Sequence, residues 1–246
     1  MGPVEQAFNN FSRVEQMVNT EETRPAVRAR PAPRRRLDAR EREQQIVAGA
    51  TDFFARRGLD AQMRELAAEL GIAHTLLYHY FPTKRQLIER VYEETIAGRW
   101  DTRWETLLDD PALTLVPKLQ RFYREYLPAI LTPEWLRILV HSGLSDGLIP
   151  NRYFAMVRDK LFPRLLREVR RAAGSRSRAR ATAREEALLL SFHGGLIYHL
   201  GIWPLVYQQH YSGQGDAALT DAFITDRIQG LLLAAPGIVA RPRARA

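Results

Sequence analysis

Between Leu37 and Phe81 the apolar residues recur every three or four positions in three short runs, and a glycine closes each of the first two. Ile46, Val47, Ala50, Phe53 and Phe54 form the first run, which ends at Arg56-Arg57-Gly58. Met63, Leu66, Ala67 and Leu70 form the second, closing at Gly71, and Ile72, Leu77 and Phe81 mark a third from about Ala73 to Tyr80. This spacing belongs to helices with one buried face, and cationic residues followed by glycine are a helix C-terminus. Gly71 then occupies a tight turn in which a side chain would clash in the left-handed backbone region. Three short helices joined in this way predict a helix-turn-helix.

The same periodicity continues. Pro82-Thr83 opens a fourth helix, with Thr83 as its N-cap and Leu87, Ile88, Val91 and Ile96 as its buried stripe, extending towards Trp100 and Trp104. Further helices are expected at about 113–131, 133–144, 151–173, 183–212 and 218–234. Pro111, Pro133, the stretch from Gly147 to Pro150, a basic link from Gly174 to Arg184 and Gly213-Gln214-Gly215 separate them. No alternating strand pattern occurs, so the expected fold class is all-α: an N-terminal three-helix helix-turn-helix domain followed by a larger helical domain. With 246 residues, 46% of them apolar, the chain can bury such a core without disulfides. It has no cysteine, which excludes a disulfide framework, a thiolate zinc site and a cysteine nucleophile, and fits a reducing cytosol. The first residues are partly acidic and lack the apolar core of a secretory signal, so a cytoplasmic protein is expected.

One segment is long enough to test as a membrane span. No Asp, Glu, Lys or Arg occurs from Ala187 to Gly215, and Leu188 to Val206 has roughly spanning length. Ser191, His193, His199 and Pro204 interrupt it, and positive clusters do not flank it on both sides, so a buried or dimer-forming helix is expected and no membrane partner.

The net charge of +8 is unevenly spread. Residues 1–36 hold seven basic and four acidic groups, 37–100 hold nine and ten, and 101–246 hold twenty and fourteen. Arg28, Arg30, Arg34, Arg35 and Arg36, among prolines at 25, 31 and 33, read as a flexible basic arm at 1–36. From Arg164 to Arg184 eight arginines face only Glu168; the run from Arg170 to Arg184 reads as a solvated inter-helix link, with a second nucleic-acid patch as the alternative, and 236–246 reads as a basic tail.

GIAHTLLYHYFPTK at 71–84, with LAAEL before it at 66–70 and Leu87 after it, resembles the DNA-binding domain of the TetR family of bacterial transcriptional regulators. ATDFFARRG at 50–58 is similar to that family's first helix. The resemblance covers about residues 40–90 and is most specific in Tyr-x-Tyr-Phe-x-x-Lys. It implies that His74, Thr75 and Leu76 face base edges in the major groove, that Tyr78, His79 and Tyr80 touch phosphates or bases, and that Lys84 binds a phosphate. Gln62 and Arg64, opening the second helix, would anchor the DNA backbone in the same way. The chemistry agrees, because a tyrosine hydroxyl and an ammonium both donate to phosphate oxygens. Two departures stand out: Ala73 replaces the usual serine or threonine cap, at a cost of about 0.5–2 kcal/mol, and Leu76 replaces a small polar residue. Leu76 favours an apolar contact such as a thymine methyl. The loop Leu59 to Gln62 is also about one residue shorter than usual.

The resemblance divides the chain into the arm (1–36), a DNA-binding domain with connecting helix (37–100), an effector-binding and dimerisation domain (101–235) and the tail (236–246). It implies a small effector and a homodimer on double-stranded DNA. Since 37–100 is slightly acidic, Arg34, Arg35 and Arg36 of the arm are expected along phosphates or in the minor groove. Most of the aromatic rings after Trp100 are core; Tyr123, Tyr126, Trp135, His141, Phe154, His193 and Tyr198 are the candidate ligand-binding residues, for a small apolar or aromatic effector. Gly194-Gly195 allows close backbone approach, and with the stripe of Phe223, Ile224, Ile228, Leu231 and Leu232 it suggests a four-helix dimer interface. A two-fold dimer reads a palindrome, its half-sites about one helical turn apart.

Two alternatives differ in class. A helix-turn-helix protein that organises DNA without sensing a ligand is one. A helical enzyme is the other, but the six histidines form no HisGluxxHis or Glu-x-x-His pair, and no Gly-x-Ser-x-Gly elbow, phosphate loop or dinucleotide fingerprint occurs. No catalytic residue, metal or cofactor is expected, and a ligand-responsive repressor is favoured.

Overall fold

In the computed structural model, residues 38–207 and 216–239 are described, and no strand occurs among them. Helix α1 (Ala39–Arg57) starts at a capping box, in which the Asp38 carboxylate accepts from the Glu41 N–H at 2.7 Å and the Glu41 carboxylate accepts from the Asp38 N–H at 3.0 Å. It stops at Gly58, whose φ of 81° suits only glycine. Helices α2 (Met63–Glu69) and α3 (His74–Tyr80) follow, joined through Gly71 at φ 62°, so the expected helix-turn-helix is present. Leu66 and Leu77 are fully buried beneath it, with Ala50 and Leu87. Helix α4 (Lys84–Thr95) carries the expected Thr83 cap, completed by Gln86 into a second capping box.

Ala73 precedes α3 in extended geometry and makes no side-chain cap bond. Ala73→Ser is therefore expected to stabilise the folded chain by roughly 0.5–2 kcal/mol in denaturant unfolding; an unchanged midpoint would mean that the free amide hydrogens of α3 are already satisfied by water.

Helix α4 ends sooner than its apolar stripe suggests. The chain leaves it at Thr95, makes a short 3₁₀ turn at Ala97–Arg99 and restarts as α5 (Thr102–Asp109), capped by Asp101. The fold-back is tight: a Cβ on Gly98 would lie 2.9 Å from the Glu93 carbonyl oxygen. The break turns both Trp100 and Trp104 into the core, edge to face at 5.6 Å.

Beyond Asp109 the chain forms α6 (Leu115–Ile130), α7 (Pro133–Gly143), α8 (Leu148–Met156), α9 (Phe162–Ala172), α10 (Ala183–Ile197), α11 (Trp203–Tyr207) and α12 (Ala217–Ala234). Helix α8 runs into α9 through a π-turn at Val157–Leu161, and α10 into α11 through another at Tyr198–Ile202. Each π-turn stands just before a proline, Pro163 or Pro204. A proline ring clashes with the carbonyl four residues back and supplies no N–H, and a widened turn relieves both problems.

One apolar cluster extends from Ile46 to Val239 across the first three helices and the rest of the described chain. Helix α1 packs on α4 and α7, and α12 on α6 and α10. Ala183–Tyr207 is long and apolar enough to cross a membrane by length and composition, yet Leu189, Phe192, His193, Leu196 and Ile197 within it are buried inside the protein.

The basic link differs from the solvated reading. Arg170 is 3% exposed and donates through Nε and Nη2, one edge of its guanidinium, to the two Glu185 carboxylate oxygens at 2.7 Å each. It also donates to the carbonyl oxygens of Ser177, Ala179 and Arg180. The link is tied down from inside by an arginine of α9, while Arg176, Arg178 and Arg180 remain exposed.

Candidate nucleic-acid interface and buried aromatic core

Helix α3 is short enough that burying Leu77 and Phe81 determines where its other residues go. His74, Thr75, Tyr78 and His79 are exposed, with Tyr78 at 40%, and Leu76 and Tyr80 are half-buried. His74 and Tyr78, one turn apart, meet edge to face at 4.7 Å, so the imidazole orients the phenol that the motif assigns to DNA. The partial burial of Leu76 leaves less of it available to a base than its sequence position suggests.

Gln62 precedes α2 without capping it, and both Gln62 and Arg64 are exposed. Arg64 makes no ion pair among the described residues, whereas Arg56 is held by Asp52 and Glu69. Lys84 opens α4 half-buried and also makes no ion pair among the described residues. It lines a groove of about 650 Å³ shared with Asp60, Ile88, Ser145 and Arg152. Arg34, Arg35 and Arg36 lie outside the described residues.

That groove marks the contacts between the helix-turn-helix and the body. The Ser145 hydroxyl donates to Asp60 at 3.1 Å, and Arg152 pairs with Glu89 at 2.7 Å. His141, named above as a ligand candidate, is exposed at this junction; its Nδ1 lies 3.4 Å from where a Gly58 Cβ would be. These ties join residues 63 to 85 positions apart, so no local sequence pattern announces them.

Four of the remaining candidates do come together. Tyr123, Tyr126, Trp135 and His193 are fully buried, and Phe154 is half-buried beside Tyr153 at 5.3 Å. Tyr198 does not join them: it is 43% exposed, with its ring against Trp203 at 6.0 Å. Tyr198 follows His193 by five residues, about 140° round the helix, so its side chain leaves on another face.

The centre of the cluster is Tyr153, which sequence reasoning did not single out. Its hydroxyl meets the Tyr126 hydroxyl at 3.0 Å and His193 Nε2 at 2.9 Å, and the Tyr123 hydroxyl meets His193 Nδ1 at 3.1 Å. Burial pushes the His193 imidazole down to about 3 and raises all three phenols, so the set is uncharged at neutral pH. A neutral imidazole donates from one nitrogen and accepts at the other. The four groups therefore carry four donor hydrogens and share three links, which leaves one hydroxyl hydrogen at an end of the chain, on Tyr123 or Tyr126 according to the tautomer. Among the described residues no group of three or more His, Asp or Glu side chains is placed to hold a metal ion.

A small helix-turn-helix with an exposed third helix is mounted on a larger helical body. Residues 46–91 match the family model for bacterial regulatory proteins, tetR family. Three solved structures share the fold: a TetR-like transcriptional regulator from a Rhodococcus species has a TM-score of 0.58 at 17% identity, covering 82% of this chain and 99% of its own. One titled a putative TetR-family transcriptional regulator, from Mesorhizobium loti, scores 0.53 at 17% identity over 80% and 98%. A TetR family transcriptional regulator from Pseudomonas syringae scores 0.54 at 18% identity over 79% and 97%. A comparison with curated proteins gives no match. Residues 46–91 thus resemble the DNA-binding domain of tetR-family regulatory proteins, and the chain shares its fold with the three solved regulators.

Proposed function

We propose that the protein is a ligand-responsive repressor, non-enzymatic and cytoplasmic, that binds a palindromic operator as a homodimer. The observation that carries this reading is α3, with His74, Thr75, Tyr78 and His79 exposed over a fully buried Leu77 inside the matched segment. Gln62, Arg64 and Lys84 would hold phosphates beside it, and Arg34, Arg35 and Arg36 of the arm would add neutralising charge.

Support for the dimer comes from α10 to α12. Leu190, Val206, Leu219 and Leu233 are exposed there, Leu233 at 84%, and a Cβ on Gly194 or Gly195 would meet open space. Apolar side chains beside open glycines suit a second copy packed closely on this face. The effector would be a small apolar or aromatic molecule taken into the cluster around Tyr153, where the spare hydroxyl hydrogen has an acceptor to find. For release from DNA it must bind one arrangement of the body better than the other. The Ser145–Asp60 and Arg152–Glu89 ties give the two parts a mechanical connection.

The experiment is selection from a random duplex pool at physiological salt. A palindrome with half-sites about one helical turn apart supports the reading; no enrichment favours a DNA-organising protein. On the selected site, Lys84→Ala and Tyr78→Phe should weaken binding to all sequences, and Lys84→Ala should reduce the log–log salt slope by about 0.9. Thr75→Ala should instead relax base preference at one position by roughly 1–3 kcal/mol. Equal losses from all three substitutions would defeat these assignments.

A further inference from the structure

At the join of α9 and α10 lies a groove of about 890 Å³ that shares no residue with α2 or α3. Its floor is apolar, made by Phe162 and Leu166 on α9 and Leu189 on α10. Residues spaced from Arg158 to Arg171 line its length, which corresponds to about 20 Å along the helix. Its outer wall is the 174–182 link, which contributes Arg176, Arg178 and Arg180.

The wall is a built feature. Gly174, at φ 76°, turns the chain out of α9, and the Thr182–Glu185 capping box fixes the start of α10. Between them Arg170, paired with Glu185, holds three carbonyl oxygens of the link. With its backbone fastened this way, the link cannot collapse onto Phe162 and Leu166, and the groove stays open.

The charges on the wall are unequal in kind. Arg158 is neutralised by Glu186, Arg167 by Asp109 and Glu168, and Arg170 by Glu185. Arg176, Arg178 and Arg180 make no ion pair among the described residues. Three unneutralised guanidinium groups along an apolar trough fit a ligand with a compact anionic head and an apolar body. A nucleic-acid backbone fits less well, since it would cover an apolar floor and run past the rim carboxylate of Glu186.

We propose that the groove between α9, the 174–182 link and α10 binds a small amphipathic anion, its carboxylate or phosphate head on Arg176, Arg178 and Arg180 and its apolar body along Phe162, Leu166 and Leu189. The groove shares no residue with α3 or with the hydrogen-bonded Tyr153 cluster, but its floor residue Phe162 packs edge to face on His193 at 6.2 Å, and the proposal is tested on the full chain without DNA. Isothermal titration uses decanoate, decyl phosphate and decanol as probes, each below its micelle concentration. Decanoate and decyl phosphate should bind once per chain, and decanol about tenfold more weakly or worse. The variant Arg176→Gln/Arg178→Gln/Arg180→Gln, altered only at exposed positions, should lose about tenfold or more in decanoate affinity. Ala181→Trp, also exposed, should block the trough with an unchanged circular dichroism spectrum. Decanol binding as well as decanoate would reduce the groove to an apolar surface, and decanoate binding equally to both variants would place the ligand elsewhere. Displacement of decanoate by a duplex, with the triple variant losing duplex affinity in parallel, would assign the arginines to nucleic acid. Any of these three results, or no binding of decanoate, overturns the proposal.

Discussion

Glu185→Ala is expected to destabilise the folded chain by about 3–5 kcal/mol, because it leaves the Arg170 guanidinium buried without its counter-charge. Arg170 and Glu185 are 4% and 0% exposed at their side chains, so water cannot take over the lost contacts. Glu185 also accepts from the Thr182 N–H at 2.8 Å, so the same substitution removes that half of the α10 capping box, while the Thr182 hydroxyl still accepts from the N–H of residue 185. Arg85→Ala is a matched control: the Arg85–Glu89 pair is 72% exposed on the arginine side, and pairs of that kind contribute about 0–1 kcal/mol. Denaturant unfolding of both variants separates the cases. A loss under about 1 kcal/mol for Glu185→Ala would mean that the link is held by other contacts. The double substitution Arg170→Met/Glu185→Leu should recover much of the stability, since apolar replacements of a buried pair are often neutral.

Acidification is expected to cost the protein about 2 kcal/mol between pH 7 and pH 5 through His193 alone. The folded state holds this imidazole neutral down to about pH 3, whereas an unfolded imidazole takes a proton below about 6.5. Over that interval the unfolded chain binds more protons, so stability falls as pH falls from 6.5 towards 3 and is complete above 6.5. His193→Phe removes the titrating group. It is less stable than wild type at pH 7, because it leaves the Tyr123 and Tyr153 hydroxyls without their partner. Its stability should nevertheless change by about 2 kcal/mol less over the same interval. Parallel pH profiles for the two proteins would show that His193 does not control the acid limb.

Helix boundaries were legible where a cap or a turn residue states them. Asp38, Thr83 and Thr182 cap their helices with side chains close by in sequence, and Gly58 and Gly71 end theirs in backbone geometry that favours glycine. The end of α4 was not legible, since the stripe of Leu87, Ile88, Val91 and Ile96 continues to Trp100 in helical phase. What breaks the helix is the gain from turning two tryptophans into the core, and that gain depends on the position of α6.

The candidate sites divide along the same line. The reading face of α3 follows from seven residues with one fully buried leucine, so local spacing suffices. Residue type marks ligand candidates but does not say which rings converge: Tyr123, Tyr126, Trp135 and His193 do, His141 and Tyr198 do not, and Tyr153 joins the cluster with no local signal to announce it.

The sequence by itself determined the all-helical class, the helix-turn-helix and the outward residues of α3, because periodicity, capping and turn chemistry act over a few residues. Only the tertiary structure decided that Arg170 is buried while Arg176 to Arg180 are exposed, that Tyr153 links two tyrosines through one histidine, and that Ser145 and Arg152 tie the body to the reading head. Each of these joins side chains on different elements, most of them tens of residues apart, and such pairings depend on how the helices pack together.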